Sequence, residues 1–286
     1  MNNQKNNQPL VSVIMNCYNG ENFLHESIKS VLSQTYDNWE LIFWDNKSND
    51  KSAVIFKSYN DKRFKYYYTS KHTLLSEARN EAIKRASGEF IAFLDTDDLW
   101  EKDKLELQMP LFDDLKVGVV YGNVFCINEK LNTKKIFLKR KKPKGFILDE
   151  LLKNYCTSLA TLVIRKSFLD NYQPAFDHSF HIVGDFDLVI RMSVKYKFDC
   201  IEKPVASYRI HEKNESLLNR SRQIKELKNW IKKMTDYPII FNNKNFLHIN
   251  HMINNYEIVN FILENDLRNA WLKIKKMPYS FKKIKY

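Results

Sequence analysis

Between residues 9 and 100, short apolar runs alternate with stretches whose apolar positions recur at helical spacing, an order that predicts a parallel sheet with crossover helices. Leu10 to Met15 is an apolar run ended by the polar turn Asn16-Cys17-Tyr18-Asn19-Gly20, after which Leu24, Ile28 and Val31 mark a helix. Trp39 to Trp44 reads as a second strand ending at Asp45. A turn-forming loop, Asn46 to Asp50, and a helix over residues 51–59 follow it. Phe64 to Tyr68 is a third strand, and Leu75, Ala78, Ala82 and Ala86 line a helix that Gly88 is expected to close. Phe90 to Leu94, apolar throughout, predicts a fourth strand buried on both faces.

Beyond Trp100 the pattern is less regular. A helix carrying Leu105, Met109 and Phe112 contains Pro110, which should kink or end it. Val117 to Tyr121 resembles a strand, Leu148 to Leu152 a helix and Leu159 to Ile164 another strand. From Arg222 onward Ile224, Leu227, Ile231 and Met234 predict an amphipathic helix, and Leu267, Trp271 and Ile274 share one face of a later one.

Composition narrows the class. In 286 residues, 44% hydrophobic and 14% aromatic content suffices for a large core, and seven Pro and six Gly leave little room for extended linkers. Cys17, Cys126, Cys156 and Cys200 lie far apart, which argues against a zinc site or a disulfide framework and for free thiols in a reducing compartment. No basic-then-apolar leader opens the sequence and no apolar run approaches a membrane span, so a cytoplasmic protein is expected.

The net charge of +12 is uneven. Residues 201–286 hold 17 Lys+Arg against 8 Asp+Glu, a balance of +9, and a second basic cluster comprises Lys139, Arg140, Lys141, Lys142 and Lys144. Such charge suits an anionic surface as well as simple solvation. A nucleic-acid binder would use a basic tail with interleaved aromatics, but no RNA-binding or helix-turn-helix signature accompanies this one, and no nucleic-acid partner is expected.

The most informative segment is Asp95-Thr96-Asp97-Asp98, directly after the fourth strand. Three carboxylates in four residues repel one another unless a cation holds them, and ligands of open parallel sheets sit at the carboxyl ends of strands. Asp45 falls at such an end too. The first strand is followed by no Gly-x-Gly-x-x-Gly, which disfavours a nicotinamide-cofactor fold.

With Val11-Ser12-Val13-Ile14-Met15 and Tyr18-Asn19, Asp45-Asn46-Lys47-Ser48-Asn49-Asp50, Ala78-Arg79-Asn80, Gly88 through Asp98, and Gly184-Asp185-Phe186-Asp187-Leu188 with Arg191, the chain resembles glycosyltransferase family 2 over roughly residues 9–216. The resemblance implies an α/β chain of the GT-A fold, a Rossmann-like, mixed and mostly parallel sheet with flanking helices, plus a C-terminal helical extension. It divides the chain into a glycosyltransferase domain, 1–216, and a basic extension, 217–286. Within the domain, 9–100 is the nucleotide-sugar half and 101–216 the acceptor half. Three departures stand out: the Pro that the family commonly has near Asn16 is missing, Lys47 occupies a position where the family commonly has Gly, and Gly184 one where it has Glu.

The implied activity is inverting transfer of a sugar from a nucleoside-diphosphate donor, a UDP-sugar, to an acceptor hydroxyl in a bacterial surface glycan or lipid-linked oligosaccharide. Absence of a Gln-x-x-Arg-Trp motif and of spanning helices implies single addition. Asp97 is the expected ligand of a divalent metal, Mn2+ or Mg2+, and Asp95 contacts the metal or the ribose. Of the three acids, Asp98 is the one expected to cap the following helix. Asn16, Tyr18 and Asp45 are assigned to the donor base, with capping of the helix near Lys51 as the alternative for Asp45. Arg79 reaches the donor phosphates or is a surface cation. Asp185 is the expected general base, with Asp187 supporting its loop. His211 is a third metal ligand or a diphosphate contact, unless it has the structural role usual for a lone histidine. For the basic tail, which runs through Lys282, Lys283 and Lys285 with Tyr279 and Phe281, contact with an anionic membrane and packing on the domain are both open.

Overall fold

The computed structural model describes residues 8–277. Strands β1 (Val11–Cys17), β2 (Trp39–Asp45), β3 (Phe64–Tyr68) and β4 (Phe90–Phe93) pair in parallel, in the spatial order β3-β2-β1-β4. Helices α1 (Leu24–Leu32), α2 (Ser52–Lys57) and α3 (Leu75–Ile83) make the crossovers. Every residue of β1, β2 and β4 is buried, because alternate side chains enter two different cores. Val13, Met15, Leu41, Phe43 and Ala92 face Leu24, Ile28 and Val31 of α1, whereas Ile14, Ile42, Trp44, Ile91 and Phe93 face Ala78 and Ala82 of α3.

The sheet continues past β4 through shorter and longer strands of mixed direction. A two-residue strand, β5 (Leu99–Trp100), is followed by α4 (Lys104–Gln108) and a 3-10 turn, Met109–Asp113, that begins where Pro110 interrupts the helix. β6 (Val117–Asn128), β7 (Thr133–Ile136), β8 (Val163–Arg165) and β9 (Lys197–Arg209) complete a nine-stranded sheet, with β8 antiparallel to β4 and β6 parallel to β9. Between them lie α5 (Leu148–Lys153), α6 (Lys166–Leu169) and α7 (Gly184–Ser193).

Three expectations are corrected here. Leu159–Thr161 is a 3-10 turn, and only Val163–Arg165 of that apolar run is strand. The strand expected over Val117–Tyr121 runs on to Asn128 as one edge of a hairpin. Gly88 does not close α3, which ends five residues earlier. A Cβ there would lie 2.6 Å from the Leu10 carbonyl oxygen and 2.7 Å from the Ser12 nitrogen, so glycine is required by close approach to β1.

The extension contributes α8 (Glu215–Leu218), α9 (Arg220–Lys233), α10 (Pro238–Phe241), α11 (Leu247–Leu263) and α12 (Leu267–Lys276). On α9, Ile224, Leu227 and Trp230, with Met234 beyond its end, join the same core as α3 and α7, so its apolar face is packed on the domain. On α12 the picture differs. Ala270, Ile274 and Met277 pack with Ile258 and Phe261 of α11, while Leu267 and Trp271 are 62% and 58% exposed. Tyr279, Phe281, Lys282, Lys283 and Lys285 lie outside the described residues.

Candidate active site

β1, β2 and β4 end side by side, so the polar segments that follow them are brought together at one edge of the sheet. Asp95 leaves the end of β4 and meets α3, where one Arg79 amino nitrogen donates to both its oxygens at 3.0 and 3.1 Å. Arg79 is 4% exposed and its guanidinium lies 5.4 Å from the Phe176 ring, which excludes the surface-cation alternative.

Asp97, two residues on, approaches β9 and the loop after it. His211 Nε2 lies 2.9 Å from Asp97 Oδ2, and Asn214 Nδ2 donates to the same oxygen at 3.4 Å. Burial, then the neighbouring Asp95 charge, push the Asp97 carboxyl above the usual carboxylate range, with His211 opposing. Asp98 does not cap a helix. It is 4% exposed and accepts from the Arg209 backbone N–H at 3.0 Å, while α4 begins only at Lys104. Its carboxyl is pushed well up by burial and by Asp97 and Asp95.

The donor-base candidates lie at the ends of β1 and β2. Asn16 is 9% exposed, and its Nδ2 has no hydrogen-bond partner among the described residues. The exposed Tyr18 ring leans on His72, centroids 4.0 Å apart. Asp45 is 1% exposed, and its oxygens already accept from Tyr66 Oη and Ser48 N, both at 2.7 Å, so a base bound here would share an engaged oxygen. Asp45 does not cap α2, whose N-cap position is Lys51 and carries no side-chain cap; Asp50, just before it, accepts from Ser52 N at 2.9 Å. Lys47 has φ of 69°, the left-handed region that strains a side chain and that glycine adopts freely.

Asp185 stands in the first turn of α7 and lines, with Arg79, Asp95, Asp97, His181 and Glu215, a cleft of 510 Å³. Burial raises its carboxyl above the ordinary range, Arg79 pulls it back and Asp95 adds to the rise. Asp187 is fully buried. It accepts from Arg191 Nε at 2.8 Å and from Trp230 Nε1 at 3.0 Å, a supporting contact to α9.

Several residues escaped sequence reasoning. His181, which no motif in the sequence singles out, lines the cleft. Its Nδ1 accepts from Leu75 N at 3.1 Å, which leaves Nε2 to donate to Glu215 Oε1 at 3.2 Å. Asn46 pins the loop ahead of α3, with Oδ1 accepting from Thr73 N at 3.2 Å and Nδ2 donating to Thr73 O at 2.9 Å. Only its place next to Asp45 hinted at this. Glu226 sits in a helix whose amphipathic pattern predicts exposure for charged positions, yet it is 6% exposed.

The family model for glycosyl transferase family 2 matches residues 12–172. The chain belongs to that family. It is 38% identical over 169 residues to the Escherichia coli UDP-Glc:alpha-D-GlcNAc-diphosphoundecaprenol beta-1,3-glucosyltransferase WfgD, covering 59% of this chain and 65% of the relative. It is 32% identical over 159 residues to the Bacillus subtilis putative teichuronic acid biosynthesis glycosyltransferase TuaG, 55% and 62% of the two. The matched stretch thus spans less than two thirds of either relative. An uncharacterized glycosyltransferase of Methanocaldococcus jannaschii is 30% identical over 76% of each chain. Among solved structures, Staphylococcus aureus TarS 1-349 with UDP-GlcNAc superposes with a TM-score of 0.64 at 18% identity, covering 88% of this family 2 chain and 72% of TarS. The Pyrobaculum calidifontis mannosyltransferase PcManGT, with GDP-Man and Mn2+, gives 0.66 at 17% identity, covering 95% and 75%. The fold is GT-A, with the C-terminal helices added to it.

Proposed function

We propose that this family 2 glycosyltransferase carries out inverting, single-addition transfer of a sugar from a UDP-sugar to a hydroxyl of a lipid-linked glycan in bacterial surface-polysaccharide synthesis. The observation that carries the reading is the convergence of Arg79, Asp95, Asp97 and Asp185 in one cleft at the carboxyl edge of the sheet. Asp185 is the base that takes the proton from the acceptor hydroxyl, and its raised pKa strengthens it for that role. Asn16 Nδ2, buried with no partner among the described residues, and the exposed Tyr18 ring supply a donor and a stacking face for the nucleotide. UDP is favoured by the donors in the names of WfgD and of the TarS complex.

The acids fit a divalent cation, Mn2+ or Mg2+. Burial, and after it the Asp95 charge, raise the Asp97 carboxyl; a cation would relieve the repulsion between the two acids, and His211 places a nitrogen beside Asp97. Among the described residues no three ligating side chains are gathered into a ready cage, so Asp97 and its neighbours would supply only part of a cation's shell. Held by Asp97 with Asp95 and His211, it would neutralise charge on the departing diphosphate.

The same reading places the enzyme at a membrane surface. No helix among the described residues is long and apolar enough to cross a membrane. The end of α11 and the exposed side of α12, however, carry Leu263, Leu267 and Trp271 together with Arg268, Lys275 and Lys276, a set suited to the inner, anionic leaflet that carries a lipid-linked acceptor.

The decisive experiment offers a panel of UDP- and GDP-sugars to the protein with a lipid-linked acceptor, in Mn2+, Mg2+ or chelator, using wild type and Asp97→Asn. Transfer should require UDP-sugar, cation and Asp97. Full transfer in chelator or by Asp97→Asn sinks the metal assignment, and a product that keeps the donor's anomeric configuration sinks inversion.

A further inference from the structure

The turn that leads into α7 presents three consecutive backbone N–H groups, of His181, Ile182 and Val183, to a carboxylate from elsewhere in the chain. Glu226 Oε2 accepts from His181 at 3.0 Å, Ile182 at 2.8 Å and Val183 at 3.2 Å, and Oε1 accepts from His181 at 3.1 Å. α7 begins at Gly184 with no side-chain cap from Val183, and the three N–H groups of the turn just before it are met from α9 instead. Arg222, one turn earlier on α9, donates to Glu226 Oε1 at 2.9 Å and fixes the carboxylate. A buried carboxylate persists only when its oxygens are fully engaged, and these are. Trp230 Nε1 makes a second tie from α9 to Asp187, 3.0 Å away.

We propose that Glu226 is a positioning residue: it latches the turn that aims the Asp185 carboxyl and the His181 ring into the cleft, so α9, which lies outside the family-matched residues 12–172, completes the acceptor side of the active site. The proposal rests on the reading of Asp185 as base. His181 opens the latched turn and Asp185 follows it by two residues, so movement of the turn displaces both groups with no change in the donor side formed by β1, β2 and β4.

The test compares wild type, Glu226→Gln, Glu226→Asp, Asp185→Asn and the double variant Asp185→Asn/Glu226→Gln. An amide keeps one acceptor oxygen and turns an NH2 toward the N–H groups, so amide exchange across residues 181–183 should quicken in Glu226→Gln. With the variant folded by circular dichroism at the assay temperature, kcat for transfer should fall by about tenfold to a hundredfold. The dissociation constant for UDP with Mn2+ should change by less than about twofold, the pattern of a defect confined to the acceptor side. Glu226→Asp should recover part of the rate, and the Glu226→Gln effect should vanish in the Asp185→Asn background. Unchanged exchange at 181–183, or a folded Glu226→Gln with wild-type kcat, overturns the latch. Wild-type kcat in Asp185→Asn overturns the base reading instead, and the exchange result then judges the latch by itself. If Glu226→Gln does not fold, Arg222→Ala loosens the carboxylate without removing it and carries the same comparison, with the same outcomes for and against.

Discussion

Arg79 donates one amino nitrogen to both oxygens of Asp95, 3.0 and 3.1 Å away, tying the helix after β3 to the acidic end of β4. The guanidinium is almost wholly buried and Asp95 is the more exposed partner, its side chain 39% accessible, so the pair presents an oriented carboxylate to the cleft. Arg79→Met keeps much of the apolar stem but leaves Asp95 without its donor. Loss of this charge-assisted bond should cost about 1–3 kcal/mol of stability by urea titration. Donor affinity should fall with it. Unchanged donor affinity would place the pair outside the donor site.

The acid limb of the pH–rate profile is expected to report Asp185. A base must be ionised to act, and burial lifts this carboxyl above its ordinary range, so kcat should fall with decreasing pH at a point above the usual value of about 3.9. Asp185→Asn should lower transfer by about a hundredfold to ten-thousandfold with UDP binding intact, and should abolish that limb. For stability the sign is opposite to that of a salt-bridged acid. A raised folded pKa means the folded state binds the proton more tightly, so the penalty from Asp185 is present at neutral pH and is relieved as pH falls through the folded pKa. An acid limb unchanged in the variant would assign it to another group.

Lys47 holds a left-handed backbone, φ 69°, at the tip of the loop after β2, and its neighbour Ser48 is fixed by Asp45. Lys47→Gly removes the side-chain clash but frees the unfolded chain, so the net expectation is stabilisation of about 0.5–1 kcal/mol by urea unfolding. Destabilisation would show that the lysine makes a compensating contact.

For the membrane reading, truncation at residue 216 is not a clean test, because it would remove Leu227, Trp230 and Met234 from the core. Leu267→Glu and Trp271→Glu act on exposed positions of α12 instead. Sedimentation with anionic vesicles should be weakened by either substitution and by raised salt, since each basic side chain near an anionic leaflet is worth about 1 kcal/mol. Equal sedimentation by wild type and both variants would remove this patch from the membrane contact.

What the sequence by itself determined was the local layer. The alternation of buried strands with amphipathic helices up to residue 94, and the placement of Asp45 and Asp95 at strand ends, follow from hydrophobic period and turn chemistry, both set by near neighbours. Even Pro110 broke its helix where it stood. The tertiary structure decided everything that depends on which distant segments meet. Gly88 looked like a helix terminator, yet its smallness serves an approach to β1 more than seventy residues away. Arg79 could not be told from a surface cation until α3 was laid against Asp95. Likewise α9 showed an apolar stripe without showing what covers it, since amphipathicity records that a face is buried and not by what. Glu226 is the sharpest case: its carboxylate is satisfied by the backbone N–H groups of residues 181–183, and a backbone donor leaves no mark in the side-chain sequence.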